Sequence, residues 1–143
     1  MSGPVNMHSD TLKTDVLIVG AGPAGLACAI HLARKGTGRR ILVLEKSARI
    51  GGHLLSGAVM RTDALKRLLT PEEYAGLPLG PVVRHESYHA LTPTRSFRLP
   101  FVPPKMHALG MPLLSLSNLG TALGQIATSL GVEILTAQTA DAL

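Results

Sequence analysis

The stretch Asp15-Val16-Leu17-Ile18-Val19-Gly20-Ala21-Gly22-Pro23-Ala24-Gly25-Leu26 decides how this chain reads. The run from Asp15 to Val19 is short, mostly apolar and rich in β-branched side chains, the pattern of a strand buried on both faces in a parallel sheet. The spacing Gly20-x-Gly22-x-x-Gly25 follows at once. A helix is predicted over Leu26 to Lys35, with Leu26, Ala29, Ile30 and Ala33 on one face and Gly36 and Gly38 to end it. Ile41-Leu42-Val43-Leu44 predicts a second buried strand, closed by Glu45. The glycine spacing alone is a weak signal. Between a strand and a helix, with a second strand inside a ~30-residue unit, it indicates a dinucleotide-binding turn. Each glycine then has a task. Gly20 permits the tight turn, Gly22 lets a pyrophosphate approach the backbone, and Gly25 lets helix and strand pack closely. The helix N-terminus offers free N–H groups and a positive dipole end to phosphates. Pro23 suits the first helical turn, where its missing N–H costs nothing. Glu45 lies twenty residues beyond Gly25, the place for a carboxylate that accepts hydrogen bonds from ribose hydroxyls. Such a carboxylate repels a 2′-phosphate, which disfavours NADP, although Lys46 and Arg49 soften that argument.

Outward from this unit, residues 1–14 read as a flexible leader and 15–60 as the dinucleotide-binding βαβ unit. The loop from Ser47 to Gly57 places Gly51, Gly52 and Gly57 around His53 and Ser56; an extra glycine loop here can let backbone reach a second stretch of an extended cofactor. Residues 61–112 read as an insertion. Thr62 to Leu69 is a short helix capped by Thr62, and Thr70-Pro71-Glu72-Glu73 opens another with a capping box. Val82 to Leu91 and Ser96 to Leu99 predict a hairpin, and Pro100 to Pro112 an extended, irregular connection. Residues 113–143 return to the main unit. Ser117 to Leu130 is a helix stopped by Gly131, and Val132 to Leu135 is a third strand. The order describes an α/β, Rossmann-like half-domain with a small α+β insertion. Three strands bury little and leave edges open, so a truncated half-domain is expected, against the alternative of a complete mini-domain.

Composition narrows the function classes. The 143 residues are 45% hydrophobic and 16% charged, enough to build a core. The formal charge is +5, yet no Lys/Arg run exceeds Arg39-Arg40 and no aromatics interleave with basic residues, so no nucleic-acid binding is expected. Cys28 is the single cysteine. It makes no internal disulfide, cannot alone hold an iron–sulfur cluster, and reads as a small packing residue on its helix. No apolar run suggests a signal peptide or a membrane span. A cytoplasmic location follows by default, with peripheral contact to an inner membrane left open. His53 is the one histidine placed to serve a cofactor, though a polar loop residue is the commoner case. His85 and His89 are read as surface residues on one face of the hairpin and not as metal ligands. Glu72-Glu73 is helix-start chemistry. Ser56 lacks the surroundings of a nucleophile elbow.

The pattern from Asp15 to Leu26 with Leu44-Glu45-Lys46 resembles the flavoprotein oxidoreductases of the glutathione-reductase type, which use it for FAD. Glu45-Lys46-Ser47-Ala48-Arg49-Ile50-Gly51-Gly52-His53-Leu54-Leu55-Ser56-Gly57-Ala58 more closely resembles the electron-transfer flavoprotein–ubiquinone oxidoreductases. The stretches Leu77 to Val82, Phe97 to Pro104, Gly110 to Pro112, Ser115 to Leu119 and Leu130 to Ile134 keep that family's order, so the resemblance covers about Asp15 to Leu135. It implies FAD, a [4Fe–4S] cluster, and electron transfer from reduced electron-transfer flavoprotein to ubiquinone in the membrane. It also implies that Gly20, Gly22, Pro23, Ala24, Gly25, Glu45 and Lys46 contact FAD, with His53, Ser56 and Gly57 toward its ribityl–flavin side. No side chain is implied as a catalytic acid or base. The family's cluster cysteines, its quinone-binding and membrane-contacting segment and its second FAD-binding stretch have no counterpart here. Ser115 stands where some members carry Arg. The resemblance is therefore to the N-terminal portion of such an enzyme, which cannot perform the full reaction alone. The alternatives are a geranylgeranyl-reductase-like flavoprotein, or a non-catalytic nucleotide-binding module or remnant.

Overall fold

The computed structural model describes residues 12–140 apart from Thr37 and Ser56. Residues 1–11 of the expected leader and the Ser56 side chain thus lie outside the described residues.

Three parallel strands form the main sheet: β1 (Val16–Val19), β2 (Ile41–Glu45) and β8 (Glu133–Thr136), in the order β1-β2-β8. Val16 pairs with Ile41 and Leu42 with Glu133. Between β1 and β2 runs α1 (Pro23–Arg34), and α4 (Leu116–Ser129) leads into β8. The chain therefore folds as a Rossmann-like α/β unit, as the strand–glycine loop–helix–strand order predicts. Helices α1 and α4 pack on each other and on one face of the sheet. Leu26, Ala29 and Ile30 of α1 meet Leu119, Leu123 and Ala127 of α4 over Ile41 and Val43. Helix α4 ends in two bonds, from Gly131 N–H to the Thr128 carbonyl and from Val132 N–H to the Ala127 carbonyl, with Gly131 at φ +84°. That is the left-handed glycine stop which the sequence signals.

Two expectations about burial need correction. Strand β1 is not buried on both faces. Val16 and Ile18 point to the helices, while Leu17 and Val19 are 38% and 57% exposed on the other face. The reason is that β1 is an edge strand and both helices cover the same face. Cys28 is exposed and not a packing residue. At 100° per residue it falls outside the stripe set by Leu26, Ala29 and Ile30.

The insertion is more ordered than its sequence suggests. A second, antiparallel sheet has β7 (Pro112–Leu114) at its centre, with β3 (Ala58–Val59) and β4 (Leu79–Val82) on either side. Val82 thus pairs with Pro112 and does not belong to the hairpin. The hairpin itself is shorter: β5 (His89–Leu91) pairs with β6 (Ser96–Arg98). His89 lies on β5, whereas His85 lies in the non-strand connection before it, so the two do not share a strand face. Pro100 to Pro112 is not wholly irregular: it holds a 3-10 turn (Pro104–Met106) and ends in β7. Pro112 is tolerated as the first residue of β7, where its carbonyl accepts from Met60 N–H at 3.2 Å.

Two short helices connect β3 to β4, α2 (Asp63–Leu68) and α3 (Pro71–Ala75). The capping box at α3 is present: Thr70 accepts from Glu73 N–H and Glu73 accepts from Thr70 N–H. Thr62 makes no side-chain cap for α2; its Oγ1 instead accepts from the Tyr74 hydroxyl at 2.8 Å. Arg34 at the end of α1 donates to the Leu68 carbonyl and pairs with Glu73, tying the insertion to the main unit. Val83 N–H donates to the Met111 carbonyl and Gly110 N–H to the Val83 carbonyl, both at 2.9 Å. These bonds close the base of an outer lobe, residues 84–109, which supplies nothing to the hydrophobic core.

Candidate functional site: the carboxyl ends of the parallel strands

The three glycines of the turn are held by three different constraints. Gly20 sits at φ +99°, a conformation that L side chains rarely adopt. A Cβ on Gly25 would lie 2.1 Å from the Gly20 carbonyl oxygen, so only glycine lets α1 seat against the turn. Gly22 caps α1 with ordinary backbone angles, φ −75° and ψ 173°, and the place of its missing side chain is open space. Nothing within the fold requires glycine there. What the open space offers is approach to the first turn of α1. That turn begins with Pro23, has no side-chain cap and no acidic residue, and keeps its first N–H groups without intrahelical acceptors. A phosphate group fits those donors and that dipole.

Glu45 ends β2 beside this turn. Its Oε2 accepts from Ala21 N–H and its Oε1 from Ser47 N–H, both at 2.8 Å. The carboxylate thereby joins the glycine turn to the start of the next loop. An ionised carboxylate has about four acceptor positions, so two remain for hydroxyl donors. Its surroundings form a cavity of about 250 Å³, whose walls include Gly20, Lys46, Gln138 and Thr139. Sequence reasoning missed Gln138 and Thr139. They follow β8 directly, where Gln138 N–H donates to the Glu45 carbonyl at 3.0 Å and Ala137 adopts φ +57°. The signal that points to them is topological: in open α/β sheets ligands bind at the carboxyl ends of the strands.

The expected residues do not all converge. Gly20, Glu45 and Lys46 share the cavity, and Gly22, Pro23, Ala24 and Gly25 form the helix start. His53 and Gly57 are exposed and do not line the cavity. The glycines of the loop answer to packing. A Cβ on Gly51 would lie 2.5 Å from the Ser117 carbonyl oxygen, and one on Gly52 would lie 2.2 Å from Ser47 Oγ. On the opposite side, Gly124 leaves room for Ile50, whose Cδ1 would be 2.6 Å from a Cβ there. The loop is thus clamped between Ser47 and α4, which accounts for Gly51 and Gly52 without a cofactor. Among the described residues no group of three or more His, Cys, Asp or Glu side chains is placed to hold a metal ion.

Comparison with known proteins agrees with the fold. The sequence profile of the NAD(P)-binding Rossmann-like domain matches residues 18–70. The chain is 43% identical, over 129 residues and 87% of its length, to the mitochondrial electron transfer flavoprotein-ubiquinone oxidoreductase of Dictyostelium discoideum. It spans 21% of that relative. Among solved structures, a geranylgeranyl bacteriochlorophyll reductase-like protein from Thermoplasma acidophilum superposes with TM-score 0.56 at 20% identity, over 87% of this chain and 30% of the other. CtdE, solved in complex with FAD, superposes with TM-score 0.56 at 16% identity, over 90% of this chain and 31% of the other. At those identities the structures share the fold.

Proposed function

We propose, for a chain related along 87% of its length to electron transfer flavoprotein-ubiquinone oxidoreductases, that it is the dinucleotide-binding part of an FAD-dependent oxidoreductase. In the fuller reading, that enzyme takes electrons from reduced electron-transfer flavoprotein and passes them to ubiquinone. The observation that carries the dinucleotide assignment is the open space at Gly22 before an uncapped helix start, with the Glu45 carboxylate beside it; the likeness to flavoproteins is what favours FAD. The first-turn N–H groups of α1 would bind the pyrophosphate, Glu45 would accept from the ribose hydroxyls, and Gln138 and Thr139 would wall the adenosine end. His53, Ser56 and Gly57 would lie further along the cofactor. Bound FAD supplies the redox chemistry; the side chains bind and orient it, and none need act as acid or base.

A [4Fe–4S] cluster needs about four cysteine ligands. Cys28 is the only cysteine, so such a cluster would draw its ligands from outside these 143 residues. No described helix is long and apolar enough to cross a membrane. Phe97 and Phe101, 53% and 63% exposed in the outer lobe, are apolar side chains suited to peripheral contact with a lipid surface where ubiquinone dissolves. The likeness to the geranylgeranyl reductase-like structure is one of fold and does not by itself favour isoprenoid reduction.

The test is the absorption spectrum of the purified chain titrated with FAD, beside Gly22→Val. The parent is expected to bind flavin and the variant to lose it, because the new side chain occupies the pyrophosphate position while the fold stays intact. Equal flavin affinity would remove the cofactor from this turn. A folded chain that binds no flavin would favour a non-catalytic module.

A further inference from the structure

A cleft of about 640 Å³ opens in the outer lobe, walled by the segment after β4, the hairpin and the loop that follows it. Arg84 and Arg98 line it from two different elements, and neither guanidinium has a partner among the described residues. His85, His89 and His107 line it as well. His89 Nδ1 lies 2.9 Å from Ser96 Oγ, which leaves Nε2 free to turn to a ligand. One acid, Glu86, faces the cleft, and both its oxygens are engaged. Oε2 accepts from Ala108 N–H at 2.7 Å, and Oε1 is 2.5 Å from His107 Nδ1. Those two bonds, the Ala108 N–H foremost, hold the Glu86 carboxyl below the usual carboxylate value. Glu86 is therefore committed to shaping the wall, and neither arginine is paired with it.

Two unpaired guanidinium forks and three imidazoles lining one cleft match the oxygens of a phosphate better than those of any neutral group. Val102 and Leu109 line the same cleft, and the exposed Phe97 and Phe101 are sequence neighbours of Arg98 and Val102. The cleft itself thus joins charged and apolar walls. We propose that this cleft is a phosphate-binding site in which Arg84 and Arg98 grip the oxygens, the phosphate being carried by a lipid headgroup or free in solution. The lipid source rests on the membrane contact proposed above; the phosphate site itself does not.

The experiment titrates the full chain with inorganic phosphate, and separately with phosphatidylcholine vesicles with and without phosphatidylglycerol. Arg84→Ala/Arg98→Ala is compared with Arg61→Ala/Arg67→Ala, which removes the same charge from exposed positions outside the cleft. The cleft variant is expected to bind anionic vesicles about thirtyfold more weakly, at roughly one basic contact's worth per arginine, while the control keeps its affinity. Loss confined to vesicles assigns the phosphate to a lipid; loss of inorganic phosphate binding as well shows that the bare group suffices. Identical behaviour of the two variants in both titrations overturns the proposal, as does a parent chain that binds neither ligand. Phosphatidylcholine also carries a headgroup phosphate, so only binding to pure phosphatidylcholine that the cleft variant keeps reads the apolar surface, and its absence touches the membrane reading and not the phosphate site.

Discussion

Gly22 and Gly25 stand three residues apart and are glycines for separable reasons. Gly25 is needed by the fold, because a Cβ would press on the Gly20 carbonyl at 2.1 Å. Gly25→Ala is therefore expected to cost about 1–3 kcal/mol of stability, read by thermal or urea unfolding. An unchanged midpoint would mean that α1 shifts freely. Gly22 meets nothing in the fold, so its substitution should leave unfolding alone and affect ligand binding only. Glu45 does both jobs at once. Glu45→Ala is expected to weaken FAD binding by about 1.5–3 kcal/mol through loss of charge-assisted hydrogen bonds. It should also lower stability, because the N–H groups of Ala21 and Ser47 lose their acceptor. Flavin titration and unfolding on the same variant separate the two, and an unchanged flavin affinity would place the ribose elsewhere. At this scale the roles of Gly20 and Gly25 in shaping the turn were legible, because such constraints are local. The burial of Cys28 was misread, since alanines flank it on both sides and only the packing direction of α1 distinguishes inside from outside. The packing role of Gly51 was not legible, because its neighbour Ser117 is distant in sequence; the loop showed only glycines that could let backbone reach a cofactor.

Helix α3 is five residues long and holds its place through its ends. Thr70 and Glu73 close the capping box, and Arg34 reaches from α1 to Glu73. The Arg34 hydrogen bond, opposed by partial burial and helped by the Thr70 N–H, keeps the Glu73 carboxyl below its ordinary value. A carboxyl depressed in the folded state adds stability above its unfolded pKa, and that stability is lost as pH falls through the folded value. The melting temperature should therefore drop as pH is lowered below about 4, and Glu73→Gln should flatten that part of the profile. Parallel profiles for parent and variant would mean the contact to α1 contributes nothing. Thr70→Ala should cost about 1 kcal/mol at neutral pH. These elements were legible because a cap, a proline and a glycine stop act within four residues. Strands β3, β4 and β7 were not. They are two to four residues long, and Gly80, Pro81 and Pro112 argue locally against a strand. Their pairing is supplied by residues far away in sequence, such as Ala58 with Leu114.

Over the whole molecule, the Rossmann-like α/β unit and the place of its insertion were readable from the strand–helix alternation, whereas the division of the insertion into two parts was not. Its inner part, with Leu65, Leu69, Leu77 and Leu114, joins the core. Its outer part, residues 84–109, hangs from the bonds between Val83 and the Gly110–Met111 pair and gives the core nothing. Joining Val83 to Gly110 through a short glycine turn should therefore leave the unfolding midpoint close to that of the parent, while abolishing vesicle binding. A large fall in the midpoint would show that the lobe braces the core after all. If the lobe is dispensable to the fold, it is a cassette on a stem. Drift in its hairpin and cleft needs no compensating change in the scaffold, and one such lobe can be exchanged for another in a single event. Surface chemistry and nucleotide site would then be inherited as two separately editable parts of one chain.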